Sequence, residues 1–461
     1  MKNKFAYPAF LMVALLGATV CSCQPASSLS SSLEDEDVTV TFWHTMGHAN
    51  SSLVDKLISK FEEDHPHITI SSIQASGGYD DLEASLLQAI PAGTTPTMAF
   101  CYPDHVAKYL SYSGTVVDLT NYINDPDIGF QESDGSHTDN SSNVISGKDD
   151  YVKAFWEEGS SYTQAGVYSV PFAKSTEALF YNKDEFDKHG WSVPTTWDQM
   201  WSLCQTIRDT YPEKDLDDRY KMYPLGYDSD ANMYITLSEQ YGIPFTSATG
   251  EHYLFNNAAA KSMVTDLKAK YDNGLFVTKG TSGNSTYTST KFTAGEILMS
   301  IGSTGGTAYN STNNFTVGVA VPPSVDLDAP AVISQGPSIC FFSRATNAQK
   351  RAAWEFYRFL STADNSCYYS VSTGYQPVRI SSYETPIYQS FINATGADRG
   401  LFNEVGSVTS TMQDSYFNSP VFDGSATARG EIGSMMGSVL LGTKSVEQGF
   451  TDAMSNCLTN S

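Results

Sequence analysis

VTVTFW at residues 38–43, HANSSLVDKLISKFEEDHP at 48–66 and HITISSIQ at 67–74 decide the fold class. The first segment is rich in β-branched and aromatic residues and reads as a strand. In the second, Leu53, Leu57, Ile58 and Phe61 recur at helical spacing, and Pro66 stops the helix. The third is a strand again. Downstream the rhythm repeats: GGYDDLEASLLQAIPAG is a turn and a helix, TMAFCY at 97–102 a strand, and DHVAKYL the start of a helix. Such alternation predicts an α/β fold with mostly parallel sheets flanked by helices.

The same reading extends along the chain. VYSVPFAKSTEALFYNKDEFDKHG gives strand, loop, strand and helix, and PTTWDQMWSLCQTIRDT a capped helix with Trp197, Met200, Trp201 and Cys204 on one face. AAAKSMVTDLKAKYDNG is a helix ending at Gly274, and KFTAGEILMSIGSTGG runs from helix to strand to glycine turn. FTVGVAVPP and ISQGPSICFFS are strands, and NAQKRAAWEFYRFLS is an amphipathic helix. A chain of 461 residues exceeds one ordinary core, so two are expected. The polar run near 124–150 reads as a loop at the boundary between them.

The N-terminus carries an address. Lys2 and Lys4 precede FLMVALLGATV at 10–20, an apolar run too short to span a bilayer but of signal-peptide length. At VCSC, Cys23 has Ser22 and Val20 before it and suits lipidation better than Cys21, which follows Val20 directly. The pattern resembles a bacterial lipobox; ordinary secretory cleavage near Ala26 is the alternative. Residues 1–22 are thus expected as signal peptide and 23–37, serine-rich and then acidic, as a lipidated flexible tether. A net charge of −24 opposes nucleic acid and anionic lipid surfaces as partners. The remaining cysteines are scattered without zinc spacing, and His65 and His67 read as a solvated turn, so neither metal nor cofactor is expected.

No G-x-S-x-G elbow, H-E-x-x-H or P-loop is present, so an enzyme has no specific support. Binding features are better represented. Sugars need aromatic faces and short polar side chains. Loops carrying both recur at strand ends: Trp43-His44, Gly78-Tyr79-Asp80, Tyr102-Pro103-Asp104, Lys174-Ser175-Thr176, Tyr227-Asp228-Ser229-Asp230, Gly302-Ser303-Thr304-Gly305, Gln335-Gly336-Pro337 and Gly374-Tyr375-Gln376. In open α/β sheets ligands bind beyond the carboxyl ends of strands.

FWHTMG with FEEDHPHITI, GGYDDL, AGTTPTMAFCYPD, YSVPFAKSTEALFYNKDEF with PTTWDQM, ISQGPSICFF and TGYQPV follow in an order that resembles the family 1 extracellular solute-binding proteins of bacterial ABC importers. WHTMG, PFAKST before YNK, the turn near Ser303 and TGYQP look most like its glycerol-3-phosphate and glycerophosphodiester-binding branch. The resemblance implies a type II periplasmic-binding-protein fold, two lobes joined by a hinge, with 38–148 and 302–346 in lobe one and 149–301 and 347–461 in lobe two. It implies Tyr79, Ser175, Ser303, Gly336 and Tyr375 as ligand residues and Arg429 as a phosphate partner. Trp43, Asp104 and Asp228 join them from the loop reading. Two departures favour sugars: Pro103-Asp104 replaces the branch's glutamate, and its middle tryptophans fall near Asp228 and Ala231. The expected protein is a monomeric, lipid-anchored, extracytoplasmic binding subunit that captures a sugar or oligosaccharide for a permease. Its alternative ligand is a glycerol phosphate or glycerophosphodiester. A secreted carbohydrate-active enzyme and an adhesin are the rival classes.

Overall fold

The computed structural model describes residues 37–130, 137–138, 144–145, 147–214, 220–283 and 286–460. Two five-stranded sheets organise them. The first has the order Ile68–Gln74, Val38–His44, Met98–Cys101, Ser338–Phe341, Val170–Pro171. Its three N-terminal strands are parallel and alternate with helices His48–Asp64 and Tyr79–Ala92, as their periodicity requires. The second has the order Val317–Ala320, Glu177–Asn182, Ile297–Ser303, Tyr223–Tyr227, Phe276–Thr278. Both sheets are mixed. Each antiparallel pair includes a strand that leads into or out of a segment joining the two sheets.

Local signals place the covering helices. Thr196 caps Trp197–Thr210 by accepting the Gln199 N–H at 3.3 Å, and Trp197, Met200, Cys204 and Ile207 are buried on one face. Thr346 and Gln349 form a reciprocal capping box at 3.1 and 3.0 Å on Asn347–Leu360. That helix buries Trp354, Phe356 and Tyr357, each such side chain contributing about 1.5–3 kcal/mol. The Trp354 indole N–H donates to the Ile128 carbonyl at 2.8 Å.

Among the described residues three short segments cross between the cores. Ser175 and Gln335 exchange backbone hydrogen bonds at 2.8 and 2.7 Å, and Val332–Ile333 pairs in parallel with Tyr416–Phe417. Strand alternation gives the crossings their character. Val332 and Tyr416 are buried in the first core, Ile333 is buried in the second, and Phe417 packs against that second core. Adjacent residues thus anchor the ribbon in both bodies. At Gly336 φ is +87°, and a Cβ there would lie 2.1 Å from the Ala173 carbonyl oxygen, so this close approach requires glycine.

The crossings redraw the expected division. Residues 149–173 pack in the first core through Tyr151, Phe155, Tyr168 and Val170. Strands Ile297–Ser303 and Val317–Ala320 belong to the second sheet, whereas helices Asn347–Leu360 and Ala363–Thr373 return to the first core. The boundary follows the hinge segments and not the polar run at 124–150, much of which lies outside the described residues. Cys23, the signal peptide and nearly all of the tether also lie outside them. Among the described residues no helix is long and apolar enough to cross a membrane.

Candidate functional site

A cavity of about 1650 Å³ opens between the cores, walled by the first, the second and the crossings. Eight of the nine expected ligand residues line it: Tyr79, Asp104, Ser175, Asp228, Ser303, Gly336, Tyr375 and Arg429. Trp43 does not. Strand Val38–His44 continues one residue past it, burying Val38, Val40, Phe42 and His44 on one face. Trp43 is therefore on the opposite face, half-buried against the first core, and Thr45 reaches the cavity instead. His44 is a packing residue: its Nδ1 accepts the Met46 N–H at 3.2 Å and its Nε2 meets Ser72 Oγ at 2.9 Å.

The first-core wall is aromatic. Tyr79 opens helix Tyr79–Ala92, whose start is fixed by Asp81 accepting the Gly78 N–H at 2.8 Å. Its ring lies 4.4 Å from that of Tyr102, centroid to centroid. Tyr375 follows Gly374, which ends helix Ala363–Thr373 in the left-handed region at φ +78°, and stacks on Tyr369 at 5.8 Å. Burial raises the pKa of Tyr79, Tyr102 and Tyr375, so all three keep their hydroxyl protons. They offer flat faces together with donor–acceptor hydroxyls.

The hinge floor is polar. Ser303 Oγ lies 3.2 Å from Ser175 Oγ. Behind them Lys174, wholly buried, donates to Glu158 at 2.5 Å and to the Gly336 carbonyl at 2.8 Å, tying two chain segments to a crossing. Burial raises the Glu158 pKa, and the Lys174 charge opposes that rise. Ser334, Gln335, Asn418 and Ser419 line the cavity, and each has a buried side-chain polar atom with no hydrogen-bond partner among the described residues.

The second-core wall carries charge on small residues. Helix Ser425–Leu440 presents Ala426, Arg429, Gly430, Gly433 and Gly437 to the cavity at helical spacing. Arg429 Nη2 donates to Asn232 Oδ1. The Asn232 amide in turn donates to Glu177 at 2.9 Å, and Tyr227 Oη donates to the same carboxyl at 2.5 Å. Burial pushes the Glu177 pKa from 4.5 up to about 7. Asp228 accepts from Thr288 Oγ1 at 2.7 Å and from the Ser289 N–H at 3.1 Å. Over the described lining, Asp80, Glu83, Asp104, Glu158, Glu177, Asp228 and Asp230 stand against Lys108, Lys279 and Arg429, seven carboxyls against three permanent cations, with Lys174 behind the lining paired to Glu158.

Sequence reasoning missed Glu177, Asn232 and Glu158. Glu177 did leave a signal, as an acid opening the otherwise apolar strand EALFYN. Asn232 and Glu158 left none, because only tertiary packing aims them at the cavity.

The model of a family described as bacterial extracellular solute-binding protein matches residues 56–395. The sn-glycerol-3-phosphate-binding periplasmic protein UgpB of Pectobacterium atrosepticum is 26% identical over 377 residues, 78% of each chain. UgpB of Escherichia coli K12 is 24% identical over 377 residues, 78% of this chain and 79% of the relative. Among solved structures, the GacH receptor of Streptomyces glaucescens, determined unliganded and with acarbose, superposes with a TM-score of 0.71 at 18% identity, covering 92% of this chain and 98% of that one. UgpB of Mycobacterium tuberculosis in complex with glycerophosphocholine does so with a TM-score of 0.70 at 18% identity and the same coverage. At such identity the structures establish the fold alone: two α/β bodies of the binding-protein type.

Proposed function

The chain belongs to the bacterial extracellular solute-binding proteins, and from that premise we propose that it captures a sugar or oligosaccharide for the permease of an ABC importer. The observation that carries this reading is the composition of the cavity. Tyrosine faces stand on one wall, hydrogen-bonding groups on the other, and carboxyls outnumber cations. Carboxylates and amides recognise hydroxyls, tyrosine rings receive the C–H faces of a pyranose, and an acid excess repels a phosphate. The volume of about 1650 Å³ exceeds the roughly 300–1,000 Å³ of ordinary small-molecule sites and suits an extended solute.

The action proposed is binding without turnover. The solute bridges both walls, the bodies close about the three crossings, and the closed form docks on the permease. Cys23 carries the lipid that keeps a monomeric protein at the outer face of the membrane. The second reading, a glycerol phosphate or glycerophosphodiester, is favoured by Arg429 in the cavity and by the solute named for the UgpB relatives.

Thermal-shift and calorimetric titration with maltotriose, longer oligosaccharides, glycerol 3-phosphate and glycerophosphodiesters separates the two. A solute at 100 times its Kd stabilises the protein by about 2.7 kcal/mol, a readily measured shift. Stabilisation by oligosaccharides and not by phosphates supports the first reading; the reverse selects the second. Accumulation of hydrolysed glycoside would replace both with an enzyme.

A further inference from the structure

Glu177 is a buried carboxyl in the cavity wall whose two oxygens are already engaged by protein donors. Its strand Glu177–Asn182 leaves the hinge, and its two oxygens accept from Tyr227 Oη at 2.5 Å and Asn232 Nδ2 at 2.9 Å. The other end of the same amide accepts from Arg429. One amide thus joins an anion to a cation. With Glu177 accepting its Nδ2 and Arg429 donating to its Oδ1, the orientation of Asn232 is fixed. The charged and titratable groups acting on Glu177 are Tyr227 from strand Tyr223–Tyr227, Asp228 beyond that strand, and Arg429 from helix Ser425–Leu440, while the paired strand Ile297–Ser303 sets the uncharged Ser303 opposite it. Among them Arg429 is the cation.

We propose that Glu177 sets the charge selectivity of the cavity: as a carboxylate it offsets Arg429 and favours neutral solutes, and as a carboxylic acid it leaves Arg429 free to hold an anion. The inference rests on reading this cavity as the solute site. Burial holds the carboxyl pKa at about 7, so both forms exist in the neutral range. An anion beside the pair favours the protonated form, and by linkage the protonated form binds the anion more tightly. Neutral solutes lack that term.

The test uses glycerophosphoglycerol, whose single phosphodiester charge is constant through neutrality, against maltotriose. Calorimetry follows the full chain from about pH 5.5 to 8.5. Glycerophosphoglycerol affinity should rise roughly ten- to thirtyfold as pH falls across that range, with proton uptake near neutrality. Maltotriose affinity should stay flat. Glu177→Gln should bind glycerophosphoglycerol at every pH as wild type does at the acid end. Proton uptake by the wild type, measured in two buffers of different ionisation enthalpy, gives the same answer without the variant. Flat anion affinity in the wild type, or an unchanged slope in Glu177→Gln, overturns the proposal. Maltotriose binding with no glycerophosphoglycerol binding at any pH overturns it and leaves the sugar reading intact. Anion binding that rises in acid without maltotriose binding supports it and removes the sugar reading, and binding of neither removes both.

Discussion

The two walls of the cavity are built from opposite materials. Tyr79, Tyr102 and Tyr375 on the first core are rings packed on other rings or helices, with buried, protonated hydroxyls. Arg429, Asn232, Glu177 and Asp228 on the second core are polar groups already engaged by protein partners. The first wall can present a surface to almost any solute with an apolar face. The second can satisfy only a solute whose donors and acceptors match groups already fixed in direction. Affinity is therefore expected from the first wall and discrimination from the second.

Separating the walls at their joint should have the largest effect. Lys174→Ala leaves Glu158 buried without its ammonium partner, and chemical denaturation should show a loss of about 3–5 kcal/mol. Arg429→Ala removes a cation of the discriminating wall. If that cation meets a buried solute oxygen, calorimetry should show about 2–5 kcal/mol less binding free energy, with the melting temperature little changed.

Glu177 separates the walls by pH. Its folded pKa lies above the unfolded one, so the folded state holds the proton more tightly and stability falls as pH rises from 4.5 to about 7. The loss is fully developed above that window and is on the order of 3 kcal/mol. Denaturant midpoints of wild type and Glu177→Gln should diverge across it, the wild type losing more stability. A parallel pair of curves would place the titration elsewhere. On the first wall, Tyr375→Leu should cost about 0.5–1.5 kcal/mol of binding, the scale of one aromatic contact, and should weaken neutral and anionic solutes alike. Trp43→Leu should alter affinity by less than about 0.5 kcal/mol, because its side chain packs against the first core and does not line the cavity.

How much of this was legible depended on the range of the interactions concerned. Strand–helix alternation and caps such as Thr196 and Thr346 are local, and the elements were readable from them. Tyr79, Ser175, Ser303 and Tyr375 were read as strand-end positions with small neighbours, and the structure brings them to one cavity, Tyr79 at a helix start, Ser303 at a strand end and Tyr375 after a helix end. The core boundaries were not readable, because Val332 and Ile333 differ by one residue yet anchor in different cores. Trp43 was misplaced because it was read as the end of its strand, whereas the strand runs on through His44, Trp43 packs against the first core and Thr45 beyond the strand reaches the cavity. Glu177 and Asn232 are 55 positions apart, and no local pattern announces that they share a hydrogen bond.

The central claim is that one solute engages both walls at once and draws them together. Small-angle scattering of the full chain, alone and saturated with its tightest solute from the thermal-shift panel, tests this most directly. The account predicts a smaller radius of gyration in the saturated protein. Unchanged dimensions at full one-to-one occupancy, verified by calorimetry, would contradict it.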